Sequence, residues 1–249
     1  MSNLNNIEEI ANYIVSEGKG ILAADESNPT CGKRFDSIGV ESNEENRRDY
    51  REMLFRSAGM KGNIGGVILF DETIRQKAKD GTSLVNIILD QGALPGIKVD
   101  QGLKPIGESE ESVTQGLEGL DERLKEYYSL GAKFTKWRAV IKVGNSLPSE
   151  KAVVSNMEAL ADYAKLVQDN NMVPMVEPEV LMDGTHSIDQ CFDATSRSLE
   201  CLFNLLNEKG VNIKGTILKP NMVTSGSESP NKADIQEVAN QTIRCLKMH

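Results

Sequence analysis

Short apolar runs alternate with helix-period segments along the whole chain, and this alternation limits the fold more than any other feature. The runs are GILAAD (residues 20–25), GGVILF (65–70), IKVD (97–100), Phe134 to Val143, Met172 to Glu177 and Thr216 to Lys219. Between them lie segments with helical spacing, such as Ile7, Ile10, Ala11, Ile14 and Val15 ending at Gly18, or Leu117, Leu120, Leu124 and Tyr127. Ser42 with Glu45 and Ser187 with Gln190 read as capping boxes for two further helices, and a final helix is expected from about Pro230 to Leu246. Strands alternating with helices imply βαβ units and a parallel sheet in a single domain over residues 1–249.

The spacing then sets the count. Six strands are found, roughly 40 residues apart, whereas a closed (β/α)₈ barrel holds eight in about 250. Two architectures fit: an open doubly wound sheet, or a barrel with about six of its eight units in this chain.

Composition removes several function classes. A net charge of −9 argues against a general nucleic-acid binder. No apolar run approaches a membrane span, and MSNLNNIEEI lacks the features of a secretory signal, so a cytoplasmic protein is expected. Cys31, Cys191, Cys201 and Cys245 form no C-x-x-C pair and are expected to be reduced. With only His186 and His249 available, a zinc site built on several histidines is close to excluded. Acid–base work falls to lysines and carboxylates.

Those residues recur at the ends of strands, where a buried parallel sheet is normally apolar. Glu177 and Glu179 form an i, i+2 pair in VEPEV, and Lys136 and Arg138 another in FTKWRAVIKV. Lys98 lies in IKVD, Asp25 ends GILAAD and Lys219 ends TILK. Taken singly each has an ordinary explanation: a cap for Asp25, a snorkelling Lys98, an edge-strand solvent face for Lys136 and Arg138, a turn for Glu177 and Glu179. The acidic run ESEES (108–112) reads as a solvated helix start. The repeated placement is the stronger signal, because carboxyl ends of strands form the site in parallel α/β folds. A desolvated Lys219 with Lys136 as a neighbouring cation is expected to be a neutral nucleophile able to form an imine with a carbonyl. Glu177 is expected to move protons as the carbinolamine dehydrates.

GKGILAADES, ENRRDYREML, GVILFDET, GIKVDQGLKP, TQGLEGLDERLKEYYSLGAKFTKWR, VPMVEPEVLMDGTH and GTILKPNMVTSG together resemble class I fructose-1,6-bisphosphate aldolases. The resemblance implies the TIM (β/α)₈-barrel family, a homo-oligomer (a tetramer in the family), and no metal or other cofactor beyond the covalent imine. It implies the glycolytic and gluconeogenic reaction, reversible cleavage of fructose 1,6-bisphosphate to dihydroxyacetone phosphate and glyceraldehyde 3-phosphate. By motif, Lys219 matches the Schiff-base lysine, Glu177 its acid–base and Glu179 that residue's companion. Asp25 matches the carboxylate assisting carbon–carbon cleavage at the C4 hydroxyl. Lys136 matches the lysine that positions substrate and stabilises charge, with Arg138 beside it. Ser27 and Lys98 match groups near the C6 phosphate, and Arg34 and Arg47 basic residues associated with substrate phosphates.

Family members continue into a glycine-rich LSGGQS-like segment, an SYGRAL-like segment whose arginine holds the C1 phosphate, and a terminal tyrosine. This sequence stops at Ile243-Arg244-Cys245-Leu246-Lys247-Met248-His249 without them. The resulting expectation is a C-terminally truncated aldolase with weak or no turnover. The alternatives are a non-catalytic remnant serving as an interaction or oligomer subunit, and a lysine-imine aldolase for another phosphosugar.

Overall fold

The computed structural model describes residues 4, 6–144 and 146–249. Six parallel strands carry the fold: β1 (Gly20–Ala24), β2 (Ile64–Leu69), β3 (Leu94–Lys98), β6 (Phe134–Ile141), β7 (Val173–Val180) and β8 (Ile217–Leu218), in that order across one sheet. Two short antiparallel strands, β4 (Leu103–Pro105) and β5 (Ser112–Thr114), form a separate hairpin. The helices are α1 (Ile7–Ile14), α2 (Asn28–Asp36), α3 (Glu44–Phe55), α4 (Asp71–Arg75) and α5 (Leu84–Asp90), then α6 (Leu120–Ser129), α7 (Glu150–Asp169), α8 (Ile188–Glu208) and α9 (Ile235–Lys247).

The chain divides into two compact units. The first comprises the chain up to Val99 with Asp121–Lys136 and Val167–Pro174; the second comprises Asp100–Leu120, Trp137–Leu166 and Met175–His249.

In the first unit the sheet register can be followed residue by residue. Ala23 pairs with Ile68, Ile68 with Gly96, and Gly96 with Phe134. These four therefore share one face. The fully buried ring of Phe134 occupies the space beside Gly96: a Cβ on Gly96 would lie 2.3 Å from it. The strands can approach only because glycine leaves the space. Two residues further along each strand, on the same face, stand Asp25, Phe70, Lys98 and Lys136. The opposite face carries Val67, Leu69 and Ile97, all fully buried.

In the second unit the same period separates Trp137, Ala139 and Ile141 from Arg138 on β6. Trp137 packs on Tyr163 of α7, ring centroids 5.3 Å apart. The stripe Ile188, Cys191, Ala194, Leu199, Leu202 and Leu206 buries α8, and α9 lies against α8.

Several expectations need correction. ESEES is the turn of the β4–β5 hairpin and the first residue of β5, and Glu111 is buried, accepting from Ser149 N (2.8 Å) and Ser149 Oγ (2.6 Å). Glu111 therefore anchors Ser149, whose Oγ accepts from Ala152 N in the first turn of α7, and ESEES is not a helix start. Asn43, not Ser42, caps α3, its side chain accepting from Asn46 N. Asp234 caps α9, four residues after the expected start at Pro230, because its side chain accepts from Glu237 N. The short helices α2 and α4 had no periodic signal long enough to read.

Replacing Gly96 with Ala is expected to destabilise the protein by about 1–3 kcal/mol through overpacking against Phe134. A urea midpoint would measure it, with the loss partly recovered in Gly96→Ala combined with Phe134→Leu.

Candidate active site

The first unit places Asp25, just past the end of β1, Lys98, the last residue of β3, and Lys136, the third residue of β6, in one layer across the sheet. Lys98 and Lys136 are direct register partners. Lys136 Nζ donates to Asp25 Oδ2 at 3.1 Å, with the two side chains 8% and 13% exposed. The edge-strand reading of Lys136 and Arg138 is thereby overturned, since β6 has strands on both sides and Lys136 is buried. A buried ammonium is tolerable here because a carboxylate faces it.

Around Asp25 the chain leaves β1 and enters α2, whose N-cap position is Ser27; its Oγ lies 3.0 Å from Thr30 Oγ1. Arg34 is largely exposed and pairs with Glu26. Arg47 behaves differently from a free phosphate ligand. Its Nε and Nη2 grip both carboxylate oxygens of Glu72 at 2.8 and 2.6 Å, and Nη1 donates to Ser42 O at 2.6 Å. This bidentate bond raises the Arg47 pKa and holds the Glu72 carboxyl below its usual range. Arg47 could meet an anion only by sharing or releasing Glu72.

The second unit holds the other candidates. Met175 pairs with Ile217, so two residues on, Glu177 and Lys219 face one another on adjacent strands. Lys219 N donates to Val176 O at 2.9 Å, extending the ladder by one residue. The Lys219 ammonium bonds Glu177 Oε1. Glu177 is 4% exposed but Lys219 is 42% exposed, so the desolvated lysine expected from the sequence is not found. The strand end opens to solvent at Lys219, and the buried partner is the carboxylate. Glu177 and Glu179 lie within β7 and not in a turn. Arg138 Nε bonds Glu179, and the Arg138 amide donates to Asp100 Oδ2 at 3.4 Å. Lys142 pairs with Glu110 on the hairpin.

His186, one of the two histidines, is 3% exposed, and burial pushes its pKa down. The four cysteines are free thiols. Among the described residues, no cluster of three or more His, Cys, Asp or Glu could hold a metal, and no helix is long and apolar enough to cross a membrane. Sequence reasoning passed over Glu26, Glu72 and Arg51, which hold the candidates in place. Glu72 lies inside the quoted GVILFDET motif, and only its partner on α3 reveals its role.

A parallel α/β sheet with lysine–carboxylate pairs on it is the class of scaffold in which α/β enzymes build their sites. Comparison with known proteins sharpens this. Residues 6–249 match the family described as Glycolytic: Fructose-bisphosphate aldolase class-I. A probable fructose-bisphosphate aldolase class 1 of Xanthomonas campestris pv. campestris is 51% identical over 242 residues, covering 97% of this chain and 72% of the relative. The cytosolic fructose-bisphosphate aldolase 4 of Arabidopsis thaliana is 50% identical, covering 96% of this chain and 62% of the relative. Fructose-bisphosphate aldolase from Plasmodium falciparum, solved in complex with TRAP and a small-molecule inhibitor, superposes with a TM-score of 0.94 at 46% identity. That match covers 97% of this chain and 70% of the solved one. The chain belongs to the class-I fructose-bisphosphate aldolase family, glycolytic carbon–carbon lyases of the TIM-barrel fold that work through a Schiff base without a metal.

The Glu72 carboxyl is held below its ordinary value of 4.5 by Arg47. Its stabilising contribution is therefore complete above pH 4.5 and is lost as pH falls through the lowered folded value. Denaturation curves from pH 6 to about 2 are expected to show a loss of stability that is shallower in Glu72→Gln.

Proposed function

We propose that this chain cleaves fructose 1,6-bisphosphate reversibly through an imine on Lys219. The observation that supports it best is the facing Lys219–Glu177 pair: an accessible amine beside a buried carboxylate. Lys219 attacks the C2 carbonyl after passing its proton to Glu177. The carbinolamine loses its hydroxyl as water when Glu177 returns a proton, leaving a protonated imine. Glu179, two residues along β7 from Glu177, holds Arg138.

In this reading Asp25 accepts the C4 hydroxyl proton. The C3–C4 bond then breaks, its electron pair moving into the iminium to form an enamine, and glyceraldehyde 3-phosphate leaves as the aldehyde. Protonation of the enamine carbon and hydrolysis return dihydroxyacetone phosphate and the free lysine. Lys136, held to Asp25 at 3.1 Å, positions substrate and balances the developing charge. Ser27 and Lys98 are assigned to the C6 phosphate, and Arg34 and Arg47 supply phosphate contacts if they exchange Glu26 and Glu72 for substrate. We further take residues 1–249 as one incomplete barrel domain of a homo-oligomer, working in the cytoplasm in keeping with the relative named cytosolic in Arabidopsis thaliana.

Borohydride reduction in the presence of dihydroxyacetone phosphate, followed by peptide mapping, tests the reading. One adduct is expected, on Lys219, and none in Lys219→Ala. An adduct elsewhere, or none on folded protein, would sink it. Glu177→Gln is expected to slow adduct formation by about 10²–10⁴-fold, the usual weight of a positioned acid–base. Excess EDTA is expected to leave trapping unchanged.

A further inference from the structure

Arg51 lies on α3 in the same ENRRDYREML segment as Arg47, yet its side chain is only 2% exposed. A guanidinium is rarely buried so far, and this one spends its fork on a single stretch of backbone. Nε donates to Ala24 O at 2.9 Å, and Nη2 donates to Glu26 O at 3.0 Å. Nη2 also lies 3.0 Å from the Glu26 carboxylate, and Nη1 lies 3.1 Å from Cys31 Sγ. The two carbonyls are those on either side of Asp25.

That segment needs a support of this kind. β1 ends at Ala24 and α2 begins at Asn28, so Asp25 sits where the strand ladder has stopped and the helix has not begun. Its carboxylate must nevertheless meet Lys136 at 3.1 Å. A planar fork fixes two acceptors at a set separation, which an ammonium on a flexible stem cannot do.

We propose that Arg51 is a positioning residue for carbon–carbon cleavage, clamping the backbone on both sides of Asp25 so that its carboxylate is aimed. The proposal rests on the role assigned to Asp25 above. It predicts that Arg51 matters for the cleavage step and little for imine formation, which belongs to Lys219 and Glu177.

Trapping with fructose 1,6-bisphosphate separates the two steps on the intact chain. Borohydride quenching at successive times leaves either a hexose-bisphosphate adduct (uncleaved) or a triose-phosphate adduct (cleaved) on Lys219, distinguished by mass. In Arg51→Lys the total adduct is expected to form at the unsubstituted rate. Conversion of hexose to triose adduct is expected to slow by on the order of 10²-fold, the cost of misplacing a reacting group by about 1 Å. If Arg51→Lys fails to fold because Glu26 loses its partner, Glu26→Gln with Arg51→Met removes both charges together and carries the same expectation. Unchanged conversion, or a fall in total adduct that leaves the ratio unaltered, overturns the clamp. Asp25→Asn is the control: slowed conversion there keeps the role of Asp25, whereas unchanged conversion removes that role and the clamp with it. Absence of any adduct on the unsubstituted folded chain would defeat the imine reading itself, and the clamp would fall with it.

Discussion

A carboxylate such as Glu177 can sit at 4% exposure only if donors or a cation face it, and here a cation does. The parallel ladder supplies that partner by register alone, since Met175 opposite Ile217 places Glu177 opposite Lys219 two residues later. The same rule operates in the other unit, where Gly96 opposite Phe134 places Lys98 opposite Lys136, and Lys136 reaches Asp25. Charge at strand ends is thus a consequence of where the apolar layer stops. Below the charges, Phe134 closes the face over Gly96, and a side chain there would push the strands apart.

The two pairs are built to different standards. Lys136 and Asp25 are both shielded, so each depends on the other's charge. Lys219 is half open to water while its partner is not. An amine that must meet a carbonyl carbon needs access, and a carboxylate that must shuttle protons benefits from a dry setting that strengthens its bonds. The first unit holds further ion pairs: Glu26 carries Arg34 and Arg51, and Glu72 carries Arg47. These supporting carboxylates keep cations ordered near the strand ends, which limits how freely the arginines can turn to an anion.

The cations also differ in what they can do. Arg47 is committed bidentately to Glu72, and Arg51 is committed to backbone oxygens. Arg34 and Arg138 are more exposed, and contacts of that kind contribute about 0–1 kcal/mol, so they can be exchanged at little cost. Exchangeable arginines suit substrate phosphates, and committed ones suit scaffolding.

The sequence by itself determined the strand–helix alternation, the parallel class, the six-strand count and the residues at the strand ends, because periodicity and i, i+2 spacing are local. It also carried the motifs of the aldolase family. Only the tertiary structure decided which cations are committed and to what. Glu72 is 25 positions from Arg47, and Arg51 is 27 from Ala24, so no local pattern could join them. The hairpin at 103–114 escaped because two three-residue strands leave no period to read. The exposure of Lys219 escaped for a related reason: a short apolar run shows that a strand is buried along its length, but where burial ends depends on what packs beside its last residue.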